Sequence, residues 1–240
     1  MKRAVKIGAG IAAALVLLAG LGVVAFPRYY AWRAQDPAFF ADEIAAFGAL
    51  DASAPPPDAP IVFVGSSSIR LWTALTADMA PLPVLNRGFG GSQLPHLIHY
   101  VDETVARYLP RAVVVYAGDN DLDPSTGKSA GDVARDFGTL VATIHAYAPG
   151  AHIYFLSIKP SPRRWTRWPE MKRANELIEA QCASDPRLSF VDVATPLLEN
   201  GQPRAELFRF DGLHLNELGY LEWKRALRPI LCRDFGGCAG

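Results

Sequence analysis

The chain has 240 residues, half of them apolar, which is enough to bury one substantial core and makes one domain with a tail the natural organisation. Its 24 basic and 24 acidic side chains cancel, so it lacks the basic excess of a nucleic-acid binder. Three cysteines with no Cys-x-x-Cys pair argue against a thiolate zinc site.

Residues 1–26 carry Lys2, Arg3 and Lys6 and no acid; without them the remainder is mildly acidic, 21 basic against 24 acidic residues. Ile7 to Phe26 is an uncharged run of 20 residues. A bilayer core of roughly 30 Å needs about 20 helical residues. Residues 1–26 are therefore expected to form a transmembrane anchor, with a cleaved signal ending near Val23-Val24-Ala25 as the alternative. The basic end would stay cytoplasmic, placing the following domain in the periplasm or exterior, with Tyr29, Tyr30 and Trp32 at the membrane interface.

Residues 27–60 read as a juxtamembrane segment and linker. Asp36 to Leu50 is expected to be a short helix packed on the domain or the membrane surface. Asp51 to Pro60 contains four prolines and reads as a stiff linker. The domain proper is expected over 61–232, with a tail over 233–240.

Within the domain, short apolar runs alternate with amphipathic segments. Ile61–Val64, Val84–Leu85, Ala112–Tyr116, Ile153–Leu156 and Ser189–Val191 read as five strands buried on both faces. Two helical stripes lie between them. One runs through Leu94, Leu97, Ile98, Val101 and Val105, the other through Val133, Phe137, Leu140, Val141 and Ile144. Cys182 continues a third stripe of Met171, Ala174 and Ile178, so it is expected to be a buried thiol. One disulfide is expected to involve Cys232, its partner left open. A last helix is expected from about Glu217 to Leu231. This alternation predicts an α/β fold with a parallel sheet between two helical layers, and ligands bound outside the carboxyl ends of the strands.

The strand ends carry the polar motifs. Strand one runs into Gly65-Ser66-Ser67-Ser68, a tight turn that sets a serine at a helix start; such serines are usually caps. Strand two ends in Asn86-Arg87-Gly88-Phe89-Gly90-Gly91-Ser92. Gln93 stands where a dinucleotide fingerprint needs glycine, so the glycines fit a close backbone approach to a reacting atom better, with Ser92 as a helix cap. Strand three ends in Gly118-Asp119-Asn120-Asp121-Leu122-Asp123. Pro124 and Ala130 stand where a calcium loop needs Gly and Glu, leaving the Asn120 amide as a donor for a substrate oxygen. After strand five comes Asp211-Gly212-Leu213-His214, in which the carboxylate can orient the imidazole. His96, His99, His145 and His152 sit at no strand end and read as structural or solvated.

Ser, Gly, Asn and Asp-x-x-His at successive strand ends resemble the blocks of the SGNH/GDSL hydrolase family, over Ile61 to about Leu231. The arrangement is most similar to the branch containing the catalytic subunits of platelet-activating-factor acetylhydrolases. The resemblance implies a flavodoxin-like three-layer sandwich with a five-stranded parallel sheet. It also implies an ester hydrolase with Ser67 as nucleophile, His214 as base and Asp211 as its orienting acid. Ser67, Gly91 and Asn120 would form the oxyanion hole, and no metal or organic cofactor is needed. Ser66 departs from the family, which has Asp there.

The segment Lys159 to Trp168 follows strand four at the same sheet edge. Arg163, Arg164, Trp165 and Trp168 are expected to contact substrate, a small-molecule, carbohydrate or lipid ester; the alternative is a basic surface loop. Competing functions are acyl transfer at the same site, a non-catalytic anchored binding module, and a metal-dependent phosphoesterase using Asp119–Asp123.

Overall fold

The computed structural model describes residues 35–238. Contacts divide the chain into Met1–Ala41 and Asp42–Gly240. The described part of the first unit is a 3-10 turn, Pro37–Phe40, capped by the Asp36 carboxylate, which accepts the Ala38 N–H at 2.9 Å. The expected membrane-spanning helix lies outside the described residues. Among the described residues no helix is long and apolar enough to cross a membrane.

The second unit is built on five parallel strands: β1 (Ile61–Gly65), β2 (Val84–Gly88), β3 (Ala112–Tyr116), β4 (His152–Leu156) and β5 (Leu188–Val191). Their order is β2-β1-β3-β4-β5. The chain therefore reverses direction across the sheet between β1 and β3, the switch point at which open α/β sheets bind ligands. All five expected strands are present, each within a few residues of its expected bounds. A small antiparallel ribbon, β6 (Leu198–Glu199) with β7 (Gln202–Pro203), was not anticipated; two-residue strands leave no periodic signal.

Eight α-helices are described. α1 is Ala41–Ser53, α2 Ser67–Arg70, α3 Leu75–Met79, α4 Leu94–His99, α5 Val101–Thr104, α6 Ala130–Tyr147, α7 Trp168–Ser184 and α8 Glu217–Phe235. α1 runs three residues into the expected linker. It packs on the domain, where Asp51 pairs with Arg87, whose guanidinium lies 5.0 Å over the Phe47 ring. The stripe from Leu94 to Val105 forms two short helices, α4 and α5, broken at Tyr100. α4 is capped by Gln93, whose N–H donates to His96 Nδ1 at 3.0 Å; the expected cap, Ser92, is instead buried with its hydroxyl unpartnered among the described residues.

Alternation along the strands splits the core in two. Ile61, Phe63, Val114, Tyr116, Tyr154 and Leu156 cluster with Trp72, Trp223, Leu227 and Leu231, burying the apolar face of α8. Val62, Val64, Val113, Val115, Ile153 and Phe155 are equally buried, and Phe155 meets Phe137 of α6 edge-on at 4.9 Å. α4, α6 and α7 pack in sequence, while α3 packs on α8. The result is the three-layer sandwich expected. At the far end of α8, Cys232 and Cys238 form a disulfide, so the open pairing resolves locally, and Cys182 is a buried free thiol.

Candidate active site

Local chemistry at the end of β1 exposes one serine of three. Gly65 has φ +146°, and a Cβ there would lie 2.0 Å from the Tyr116 carbonyl oxygen, so only glycine lets β1 turn here against β3. The turn leads into α2, whose first residue is Ser67. Ser66 and Ser68 are buried, and their hydroxyls have no partner among the described residues; Ser67 alone is partly exposed.

The imidazole comes from a loop closed by an antiparallel bridge between Phe208 and Leu215. Arg209 N–H donates to the His214 carbonyl at 2.7 Å, and the Asn216 side chain then caps α8 through the Gly219 N–H at 3.1 Å. Asp211 Oδ1 accepts the N–H groups of Leu213 (2.9 Å) and His214 (3.0 Å), which folds the turn upon itself. Its Oδ2 lies 2.6 Å from His214 Nδ1, and His214 Nε2 lies 3.0 Å from Ser67 Oγ. Residues 147 positions apart are thus in hydrogen-bonding contact. Partial burial pushes the Asp211 carboxyl up, but hydrogen bonds from the His214 ring and from the two backbone N–H groups outweigh it and bring it to about 2.

Gly91, with φ +82°, follows β2. Its N–H, like that of Ser67, makes no hydrogen bond among the described residues. The preceding Gly90 N–H points to the Glu43 carboxylate of α1 (3.3 and 3.4 Å), which also pairs with Arg70 at 3.2 Å, so a residue of the expected juxtamembrane segment braces this loop. Asn120 donates one Nδ2–H to the Ser92 carbonyl at 3.0 Å, leaving a second amide hydrogen.

The three aspartates of the β3 loop diverge. Asp119 lies against Lys159 and Arg164, Asp121 accepts from Leu94 N–H and Lys128, and Asp123 accepts from Ser125. Burial pushes Asp121 up to about 6, because Lys128 and Leu94 offset only part of its desolvation. Asp119 is held low despite full burial by the two cations beside it. Three of the other four histidines are tied into the scaffold, His145 to the Ala151 carbonyl, His152 to Ser189 and His96 to the start of α4, while His99 is exposed and meets Tyr100 edge-on.

A cavity of about 460 Å³ opens beside His214, lined by Arg163, Arg164, Arg167, Asp123, Asp211 and neighbours. The arginine segment is joined to the Asp211 turn by Arg163 N–H donating to the Gly212 carbonyl at 2.9 Å. Arg167 Nε donates to the Leu122 carbonyl at 3.0 Å. Trp165 and Trp168 behave differently from the two expected arginines. They stack on each other, 6.2 Å apart and 14° from parallel, and neither lines the cavity. The turn Pro162–Arg167 sets the two indoles side by side instead of directing both inward. In the sequence Lys159 merely begins this loop. Its buried pairing with Asp119 depends on β3 and β4 being neighbours, which no local pattern encodes.

A model of the GDSL-like lipase/acylhydrolase family matches residues 44–221. Among curated relatives, the alpha1 subunit of platelet-activating factor acetylhydrolase IB is 29% identical over 181 residues in Bos taurus, covering 72% of this chain and 75% of that one. The Homo sapiens subunit matches with the same identity and coverage. A GDSL-like lipase from Bacteroides thetaiotaomicron superimposes with a TM-score of 0.67 at 18% identity, over 80% of this chain and 98% of that one. A family 3 carbohydrate esterase from Clostridium thermocellum gives 0.58 at 18% identity, over 75% and 100%. The chain therefore belongs to the GDSL-like lipase/acylhydrolase family, the SGNH/GDSL hydrolases, and is an ester hydrolase.

Proposed function

We propose that this enzyme cleaves carboxylic esters of short acyl groups through a covalent acyl-enzyme on Ser67. The observation that carries the reading is the unbroken contact from Asp211 Oδ2 to His214 Nδ1 (2.6 Å) and from His214 Nε2 to Ser67 Oγ (3.0 Å). His214 takes the Ser67 proton as Oγ attacks the carbonyl carbon, and Asp211 fixes the tautomer that leaves Nε2 as acceptor. The tetrahedral oxyanion is met by three donors: the N–H groups of Ser67 and Gly91 and the free Nδ2–H of Asn120. His214 then protonates the leaving alcohol. Water, activated by the same ring, attacks the acyl-enzyme and restores Ser67. Every proton the cycle needs moves through His214.

The cavity beside His214, with Arg163 and Arg164 in its wall, is the proposed seat of the substrate's remainder. Arg163 is exposed and its guanidinium has no partner among the described residues, so it is the cation best able to meet a polar or anionic substituent. The platelet-activating factor acetylhydrolase subunits among the similar proteins support an acetyl-sized acyl group on this chain's substrate. We further propose that residues 1–26 anchor the enzyme with its domain in the periplasm or exterior; the Cys232–Cys238 disulfide suits an oxidising compartment. The test of the chemistry is covalent labelling by a fluorophosphonate, followed by turnover of p-nitrophenyl esters from C2 to C12. Labelling lost in Ser67→Ala and kcat/KM falling with chain length are the expected results. Labelling that survives Ser67→Ala refutes the nucleophile, and equal or higher kcat/KM at C8 and beyond refutes the short-acyl preference.

A further inference from the structure

Arg164 stands between the site and a buried ion pair. Its Nη2 donates to Asn120 Oδ1 at 2.9 Å. Its Nη1 lies 3.3 Å from Asp119 Oδ2, an ion pair without hydrogen-bond alignment. The same carboxylate oxygen meets Lys159 Nζ at 3.4 Å. Lys159 is only 1% exposed, and Asp119 is buried beside it. Taking such a pair out of water is costly, and apolar residues of similar volume often stabilise as well or better. A fold does not need this pair for its core, so a role in placing Arg164 is the better account of it.

What Arg164 places is an amide. Asn120 rotates about its last bond with little intrinsic preference, and its two ends differ only in what they can donate or accept. Here the Oδ1 end faces a guanidinium that can only donate, and the Nδ2 end faces the Ser92 carbonyl that can only accept. Inverting the amide would set donor against donor and acceptor against acceptor. The second Nδ2–H, the one not given to Ser92, is thereby held in one direction.

We propose that Arg164 is a positioning residue: anchored through Asp119 and Lys159, it locks the Asn120 amide so that its free Nδ2–H faces the reacting carbonyl oxygen. The inference rests on the proposed role of Asn120 as an oxyanion donor. It moves Arg164 from substrate contact to support of the catalytic machinery, and leaves Arg163 as the free guanidinium of the cavity.

The experiment is a double-mutant cycle in full-length enzyme with p-nitrophenyl acetate, comparing Arg164→Ala, Asn120→Ala and the double variant, with melting curves for each. Asn120→Ala should lower kcat by about 10²–10³-fold, and Arg164→Ala by about 10–100-fold with KM within about twofold of wild type. In the Asn120→Ala background, Arg164→Ala should cost less than about twofold more, because its target is gone. Arg164→Gln, whose amide can still donate to Asn120 Oδ1, should recover part of the loss, and it carries the cycle if Arg164→Ala does not fold. Losses that multiply in the double variant overturn the proposal, as does a raised KM with kcat unchanged, which would mean direct substrate binding. Full activity of Asn120→Ala removes the donor and the proposal with it, whereas a dead Ser67→Ala alongside multiplying losses fails this inference alone.

Discussion

Replacing Asp211 separates tautomer control from structure at one position. Its Oδ1 holds two backbone N–H groups and its Oδ2 holds the imidazole. Asparagine can keep the first job, since its carbonyl oxygen still accepts from Leu213 and His214. It fails at the second, because its Nδ2 would present a donor to His214 Nδ1. The ring then adopts the tautomer with hydrogen on Nε2, which points a donor at Ser67 Oγ and cannot take its proton. A wrong tautomer in an otherwise intact triad costs on the order of 10⁴ in kcat, equivalent to about 5.5 kcal/mol. Alanine loses both jobs. Two hydrogen bonds to a partly exposed carboxylate contribute roughly 1–2 kcal/mol to folding after water replaces them, or about 2–8 °C in Tm for a domain of this size. Asp211→Asn should therefore melt closer to wild type than Asp211→Ala while being nearly as inactive. Steady-state kinetics on p-nitrophenyl acetate and thermal melts at pH 7 read both quantities. Asp211→Asn activity within tenfold of wild type would refute the tautomer argument. An Asp211→Ala protein that melts like wild type would refute the structural one.

Acid should erase the stabilising part of that contribution. The folded carboxyl sits at about 2, below its unfolded value of ~3.9, so its stability is complete above about pH 4 and is lost as pH falls toward 2. The Tm gap between wild type and Asp211→Ala should shrink across that interval; a gap unchanged from pH 5 to pH 2 contradicts it. Ser66→Ala and Ser68→Ala should retain substantial activity while Ser67→Ala loses almost all, and an inactive Ser68→Ala beside an active Ser67→Ala would move the nucleophile. Because Trp165 and Trp168 stack on each other outside the cavity wall, replacing both by Ala should change kcat/KM for bulky and minimal esters by similar factors. A selective loss on bulky esters would instead make them substrate contacts. After a carbonate wash the full-length protein should stay in the membrane pellet, and a soluble form beginning near Phe26 would instead mean a cleaved signal.

Much of this enzyme is legible in its sequence because the relevant signals are local. A strand buried on both faces must be a short apolar run, so five such runs were enough to locate the sheet. The tight Gly65 turn and the Asp211–His214 spacing each fall within a few residues, and so do the glycines after β2. Their common placement at strand ends follows from a parallel sheet in which all carboxyl ends lie on one edge. The tertiary structure decided what depends on neighbours distant in the chain. It buried Ser66 and Ser68, set Ser67 against His214, and paired Cys232 with Cys238. It settled that α1, with Glu43 and Asp51, packs on the domain, where the sequence left the membrane surface as the alternative and read Asp51 as linker. It also set the arginines in the wall of the cavity beside His214 and stacked the tryptophans on each other. Above all, it assembled Lys159, Asp119, Arg164 and Asn120, which come from the ends of β3 and β4 and the segment beyond. Periodicity and composition report which face of an element is buried; a buried charge and its partner are set by strand order and register, which exist only once the sheet has formed.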